Sequence, residues 1–151
     1  MYPEIVTVML KVVAAFEGLG VPYFVGGSLA SSVHGIARPS LDADLVAALE
    51  EEHGEPLMRA LRAEFHYEPQ TVWEAIRARD RFTAVHLSRM FRVDVFVAPD
   101  EPYARMQLRR RQQETVSAAP ERSAFFATAE DIVLAKLEWY QGASERPERH
   151  W

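Results

Sequence analysis

The chain has 151 residues, which is enough for one domain with a substantial core. Its hydrophobic content of 48% and charged content of 26% exclude a disordered chain, and 17 basic against 22 acidic residues give a net charge of −5, which disfavours a broad nucleic-acid surface. The absence of cysteine excludes a disulfide framework, a thiolate metal site and a cysteine nucleophile. No apolar run approaches the roughly 20 residues needed to cross a bilayer, and the N-terminus lacks the basic stretch of a signal peptide. These features predict one soluble cytoplasmic domain.

The chain opens with apolar residues at helical spacing. This spacing predicts an amphipathic helix over residues 5–19 that Gly20 helps to end. The short apolar run 23–25 then predicts a strand, which enters a tight turn at Gly26 and Gly27.

The rest of the chain interleaves helices and strands. Pro56 is placed at the start of a helix whose apolar stripe extends to Phe65, and residues 82–87 and 91–97 are predicted to form a hairpin. The other predicted elements are a short helix from Ser28 to Gly35, a strand over 41–47, a helix over 72–78, a helix over 103–110, short strands over 114–117 and 123–126, and a last helix that Thr128 and Asp131 cap. The fold class is therefore α/β or α+β.

The first chemical feature is Gly26-Gly27-Ser28, between a predicted strand and a predicted helix. Glycines let the backbone approach a ligand closely, and a helix N-terminus offers unpaired N–H groups to a phosphate. The Ser28 hydroxyl would be a further donor. Taken alone, the segment is more often a tight turn with a helix cap.

The second feature is the pair Asp42 and Asp44. Two residues apart on a strand, their side chains project from one face with Cα atoms roughly 6.6–7 Å apart. Two such carboxylates repel each other unless a cation lies between them, and Mg²⁺ prefers oxygen ligands. In the alternative interpretation, one Asp caps the strand end and the other is solvated.

The third feature is Asp94 within the β-rich run 92–97. A carboxylate in the middle of a strand is costly to bury without a partner. That partner is Arg92, solvent, or a metal ion shared with Asp42 and Asp44. Read alone, the segment supports an Arg92–Asp94 surface pair as well as a metal site.

The order of these features resembles the nucleotidyltransferase superfamily of the DNA polymerase β type. In this chain, Val25-Gly26-Gly27-Ser28 precedes Asp42-Ala43-Asp44 by 13 residues, and the third Asp lies on a later strand. The segments 38–41 and 129–137 also resemble small stand-alone bacterial members, a group that includes abortive-infection toxins. The resemblance covers about residues 22–140 of a single domain over 1–151, in which a C-terminal helical extension is expected to be short or missing.

This resemblance implies a mixed β-sheet flanked by helices and a Mg²⁺-dependent transfer of a nucleoside monophosphate from an NTP such as ATP. The acceptor hydroxyl would belong to tRNA, a protein or a small molecule. The implied metal ligands for two Mg²⁺ ions are Asp42, Asp44 and Asp94, with Asp94 also helping to deprotonate the acceptor. The implied nucleotide-binding residues are Gly26, Gly27, Ser28, Arg38 and Lys136.

Several alternatives stay open. Arg38 also fits a solvated loop, and Lys136 also fits a side chain that reaches the surface past an apolar stripe. The basic run 109–111 is interpreted first as a solvated face and second as an RNA contact. The relatives suggest a toxin with an antitoxin partner, and the alternative function is a catalytically silent binding domain acting in a complex.

Overall fold

The computed structural model describes residues 4–26, 42–118 and 121–134. Its helices are α1 (Glu4–Leu19), α2 (Glu51–Leu61), α3 (Pro69–Ala78) and α4 (Pro102–Arg110), followed by helical residues 129–134. Its strands are β1 (Tyr23–Gly26), β2 (Asp42–Ala47), β3 (Phe65–His66), β4 (Arg81–His86), β5 (Arg92–Val97), β6 (Gln112–Ala118) and β7 (Glu121–Phe126). None of the helices in these ranges is long and apolar enough to cross a membrane.

The described strands form one mixed sheet in the order β3-β4-β5-β2-β1-β7-β6. At its centre, β2 runs parallel to β5 and antiparallel to β1. Hairpins supply the outer pairs, β4 with β5 and β6 with β7. This mixed sheet with flanking helices confirms the predicted fold class.

One face of β2 and β5 carries apolar side chains. Ala43 and Leu45 on β2 alternate with the two carboxylates of that strand, and Val93 and Val95 on β5 do the same around Asp94; all four apolar residues are at most 1% exposed. The apolar stripes of α1, α2 and α3 pack on this side, where α1 contacts β2 and β5 and α3 contacts β4. Burial of the apolar face therefore fixes which way the carboxylates of β2 and β5 point.

Two local predictions were wrong. Helix α2 begins at Glu51, five residues before Pro56, because Glu50 and His53 form a capping box in which His53 Nδ1 accepts the Glu50 N–H at 2.9 Å. Phe65 lies outside that helix, which ends at Leu61, and belongs to the two-residue strand β3. The sequence analysis did not predict β3.

The other elements with described residues lie close to their predicted positions. The capping interaction before the last helix is also present, since Thr128 Oγ1 accepts the Asp131 N–H at 3.1 Å. The predicted helix over 28–35 and the continuation of the last helix past residue 134 lie outside the described residues.

Replacing Gly54 by Ala is expected to destabilise the protein, although Ala usually favours a helix. A Cβ at this position in α2 would lie 2.6 Å from Trp73 Cζ3 and 2.7 Å from Trp73 Cη2. The indole of Trp73 would have to move, so we expect the free energy of unfolding to fall by about 1–2 kcal/mol. Denaturant titration measures this change.

The matched control is Gly18→Ala in α1, where a Cβ would have no heavy atom within 4 Å beyond its immediate surroundings in the helix. There the substitution should raise the free energy of unfolding by about 0.5–1 kcal/mol. If both substitutions raise the free energy of unfolding, the indole of Trp73 can move aside without a loss of stability.

Candidate active site

The strand register brings three predicted site residues side by side. Gly26 at the end of β1 pairs with Asp44 on β2, and Asp44 pairs in turn with Asp94 on β5. Neighbouring strands lie about 4.8 Å apart, so the three Cα atoms span roughly 10 Å. Asp42 lies two residues earlier on β2, opposite Arg92.

The carboxylates share the face of the sheet opposite the helix-covered one. Asp42 and Asp44 are two residues apart on one strand, and residues in register on neighbouring strands project from the same face. Asp42 is exposed, Asp44 is half-buried and Asp94 is only 6% exposed. We call the face formed by Asp42, Asp44 and Asp94 the acidic face. Its carboxylates become progressively more buried from Asp42 to Asp94.

The buried carboxylate of Asp94 has two partners. The hydroxyl of Thr83 on β4 donates a hydrogen bond to Asp94 Oδ1 at 2.5 Å. Arg92 Nη2 lies 3.4 Å from Oδ1 and 3.5 Å from Oδ2, on a guanidinium side chain that is half exposed. The Arg92–Asp94 pair considered from the sequence is therefore present, and Thr83 is an additional residue that the sequence analysis missed.

The chemistry of these residues suits a hard cation. Three carboxylates on one face supply the oxygen ligands that Mg²⁺ prefers, and two of them are in register on neighbouring strands. Among the described residues, no three His, Asp or Glu side chains are grouped closely enough to hold a metal ion. The donor type suits Mg²⁺, but the three carboxylates are not grouped around one point, since the Asp94 carboxylate is directed toward Thr83 and Arg92.

One of the five predicted nucleotide-binding residues, Gly26, lies within the described part of the chain. Gly26 is buried at the end of β1, next to Asp44 in the register. Gly27, Ser28, Arg38 and Lys136 lie outside the described residues.

The basic run 109–111 is largely engaged within the fold. Arg110 donates hydrogen bonds to both carboxylate oxygens of the buried Asp131, and this raises the pKa of Arg110. Arg111 donates to the Leu108 carbonyl oxygen and stacks its guanidinium 4.4 Å above the ring of Phe125. Two of the three arginines thus have partners within the fold, whereas the preferred interpretation from the sequence was a solvated face.

A cavity of about 380 Å³ lies beside β4, on the other side of Thr83 from Asp94. Residues of β3, the first turn of α3 and β4 line it, and Thr83 is a shared wall between the cavity and the Asp94 carboxylate. Asp42, Asp44 and Asp94 are not among its lining residues, so the cavity adjoins the acidic face at Thr83 without opening onto the three carboxylates.

The sequence matches no protein-family model and no curated protein sequence. Solved structures do match. A candidate nucleotidyltransferase from Thermotoga maritima superposes with a TM-score of 0.61 at 14% identity, over 99% of this chain and 92% of that one. The lincosamide antibiotic adenylyltransferase LnuA, in its lincomycin-bound form, gives a TM-score of 0.56 at 13% identity, over 83% of this chain and 82% of that one.

The chain has a nucleotidyltransferase fold. A third structure of this fold, ANT(2″)-Ia in complex with adenylyl-2″-tobramycin, gives a TM-score of 0.52 at 19% identity, over 96% of this chain and 80% of that one. The resemblance to the nucleotidyltransferase superfamily inferred from the Gly-Gly-Ser and Asp-x-Asp segments is thus confirmed at the level of the fold.

Proposed function

We propose that the protein is a Mg²⁺-dependent nucleotidyltransferase that moves a nucleoside monophosphate from an NTP to an acceptor hydroxyl. The observation that carries this proposal is the register of Gly26, Asp44 and Asp94 on three adjacent strands. It occurs in a fold whose solved neighbours include two antibiotic-modifying enzymes. The glycine of the predicted phosphate turn and the carboxylates of the predicted metal site therefore meet at one place on the sheet.

Each proposed site residue has a role that its chemistry supports. Asp42, Asp44 and Asp94 would hold two Mg²⁺ ions, and the chemistry that bound Mg²⁺ would supply is neutralisation of the charge on the nucleotide phosphates. Asp94 also accepts the proton of the acceptor hydroxyl. The nucleotide is held by Gly26, Gly27, Ser28, Arg38 and Lys136.

We propose ATP as the nucleotide and a small molecule as the acceptor. LnuA is named as an adenylyltransferase, and ANT(2″)-Ia was captured with adenylylated tobramycin. A tRNA acceptor is less well supported, because the chain has a net charge of −5 and because Arg110 and Arg111 are engaged within the fold. A protein acceptor, and a toxin controlled by an antitoxin in the cytoplasm, rest on the sequence resemblance alone.

Incubation with radiolabelled ATP, Mg²⁺ and cell extract tests the transfer. We expect label to move from ATP to a component of the extract, to disappear with EDTA, and to return when Mg²⁺ is added in excess. Transfer that survives chelation would contradict the metal dependence. Absence of label on every component would contradict the enzymatic proposal.

A second candidate function is a catalytically silent binding domain in a complex. It is favoured by one observation, the engagement of the Asp94 carboxylate with Thr83 and Arg92, which occupy the oxygens that a metal ion would need. A silent domain would bind ATP without transferring label. Thermal stabilisation by ATP and Mg²⁺ without any transfer would therefore select this candidate.

Replacing Thr83 by Val is expected to lower the transfer rate by about tenfold, a loss that corresponds to one hydrogen bond to an ionised group. The valine keeps the shape of the side chain but cannot donate to Asp94 Oδ1, so the carboxylate is held only by the longer Arg92 contacts. Steady-state kinetics with saturating ATP measure the change.

The matched control is Thr83→Ser, which keeps the hydroxyl and should restore most of the rate. A serine variant as slow as the valine variant would show that packing at β4, rather than the hydrogen bond, determines the effect. Because Thr83 acts through Asp94, we regard it as a positioning residue.

A further inference from the structure

Arg92 brings a positive charge to the acidic face. It lies two residues before Asp94 on β5 and pairs with Asp42 on β2, so all three side chains project from one side of the sheet. Among the described residues, Arg92 is the cation that contacts the Asp94 carboxylate. The acidic face therefore already holds a positive charge beside its most buried carboxylate.

The contact between Arg92 and Asp94 is long and nearly symmetric. Arg92 Nη2 lies 3.4 Å from Oδ1 and 3.5 Å from Oδ2, so a single nitrogen faces both oxygens of the carboxylate. Hydrogen bonds between two ionised groups usually measure about 2.7–2.9 Å, and the strong arginine–carboxylate pairs use two nitrogens. The guanidinium thus covers both oxygens but binds neither of them tightly.

The two partners differ in their access to solvent. The Asp94 side chain is 8% exposed, whereas the Arg92 side chain is 50% exposed. A carboxylate at that depth needs a compensating charge or hydrogen-bond donor. The guanidinium can move into water at little cost, because an ion pair with an exposed partner contributes little stability. Asp94 therefore needs a cation, and the one it has is weakly held.

Thr83 holds the carboxylate independently of Arg92. Its hydroxyl donates to Asp94 Oδ1 at 2.5 Å from the neighbouring strand β4. Each carboxylate oxygen can accept more than one bond, so the hydrogen bond from Thr83 leaves both oxygens able to bind a cation. Asp44 pairs with Asp94 on the opposite side, on β2. Departure of the guanidinium would therefore free the Asp94 oxygens without releasing the side chain from β4.

We infer that Arg92 is a resident counter-ion of the acidic face, and that it leaves Asp94 when a divalent cation binds there. The inference rests on the metal site of the proposed function and adds to it a control on metal affinity. It accounts for the direction of the Asp94 carboxylate, which faces Arg92 and Thr83 instead of a point shared with the other two carboxylates. Because Arg92 acts through Asp94, it is a positioning residue that sets the metal concentration at which the site fills.

Arg92→Gln tests the inference by removing the charge while keeping a polar side chain. Binding of Mn²⁺ alone, without nucleotide, is followed by electron paramagnetic resonance, which reports the free ion. We expect Arg92→Gln to bind Mn²⁺ about three- to tenfold more tightly than the wild type, because no guanidinium competes for Asp94. Arg92→Lys keeps the positive charge and should bind like the wild type. Loss of a purely structural residue would weaken the site or leave its affinity unchanged.

The matched control is Arg81→Gln, the same change on the neighbouring strand β4. Arg81 lies two residues before Thr83 on that strand, and its guanidinium lies 6.0 Å from the centroid of the Phe96 ring. This variant should keep the Mn²⁺ affinity within about twofold of the wild type, because salt screens a distant charge. Equal tightening by Arg81→Gln and Arg92→Gln would assign the effect to net charge and overturn the inference.

The wild type offers a second test that does not depend on the folding of a variant. Phenylglyoxal modifies guanidinium groups, and mass spectrometry of the resulting peptides gives the rate at each arginine. We expect saturating Mn²⁺ to raise the rate at Arg92, because its guanidinium is released from Asp94, and to leave the rate at Arg81 unchanged. A rate at Arg92 that stays constant or falls would show that the ion pair persists, and would overturn the inference.

Two further outcomes separate this inference from the proposed function. Equal or weaker Mn²⁺ binding by folded Arg92→Gln would overturn the counter-ion role and leave the metal site and nucleotidyl transfer intact. Absence of Mn²⁺ binding by both the wild type and Arg92→Gln would overturn the metal site of the proposed function and this inference with it.

Discussion

Asp44→Asn is expected to reduce nucleotidyl transfer by about 10³-fold or more, the largest effect among the site substitutions. Asp44 lies between Gly26 and Asp94 in the sheet register, so it is the carboxylate closest to both the phosphate turn and the proposed base. Asparagine has nearly the same shape but lacks the charge, and several kcal/mol of transition-state stabilisation by bound metal would be lost with it.

Two measurements define this prediction. The first is kcat/KM for transfer from labelled ATP, compared with the control Asp100→Asn, whose exposed carboxylate pairs only locally with Arg105 at 2.5 Å. The second is the rise in melting temperature on addition of ATP and Mg²⁺, which Asp44→Asn should abolish and Asp100→Asn should keep. Equal activity of the two variants would remove Asp44 from the proposed metal site.

The side-chain orientations on the acidic face show what sequence patterning can predict. Period-two alternation correctly places Asp42 and Asp44 on one face, because the residues between and around them are apolar and must be buried. The same argument correctly separates Asp94 from Val93 and Val95. Local patterning is reliable here because the burial of the apolar face determines it.

The pairing of strand β2 with strand β5 is a contact between distant parts of the chain, and local patterning does not predict it. Strands β2 and β5 are separated in the chain by two helices and two strands, yet they are parallel neighbours with Asp44 opposite Asp94. Periodicity carries no information on which strands pair over such a distance. For this step the resemblance to a known superfamily supplied what the pattern could not.

The sequence analysis missed Thr83 because the predicted turn between β4 and β5 is one residue shorter than the turn in the structure. A loop of Ser88-Arg89-Met90 would place Ala84 opposite Asp94 and turn Thr83 toward the other face. In the structure Leu87 also leaves the strand and Met90 adopts a φ of 62°, so the register shifts and Thr83 pairs with Asp94. One residue of loop length thus determines whether the buried carboxylate receives a hydrogen bond.

The start of helix α2 also depends on a local interaction, the hydrogen bond between the His53 side chain and the Glu50 backbone. Proline favours the first turn of a helix, which is why Pro56 was taken as a start. The His53 side chain instead caps the backbone N–H of Glu50, and the helix begins more than one turn earlier with Pro56 in its interior. Histidine is an unusual partner in a capping box, so the sequence offered little signal for it.

Arg110→Met is expected to lower the melting temperature by roughly ten degrees, the largest stability effect predicted for a surface position. The Asp131 carboxylate is completely buried, and Arg110 donates to both of its oxygens, with Nε at 3.2 Å from Oδ2. Methionine retains the length of the side chain without its donors, so the substitution leaves a buried carboxylate without its ionic partner.

The control is Arg109→Met, the same change at the preceding and exposed position of α4, which should alter the melting temperature by no more than about a degree. The double variant Arg110→Met with Asp131→Leu should recover most of the loss, because removing both charges of a buried pair costs far less than removing one. The backbone N–H of Asp131 donates to Thr128 Oγ1 in the first turn of the helical segment 129–134, while its carboxylate accepts from Arg110 and so links this segment to α4. If Arg110→Met melts like Arg109→Met, the pair does not anchor the segment, and the buried carboxylate must be satisfied by other groups.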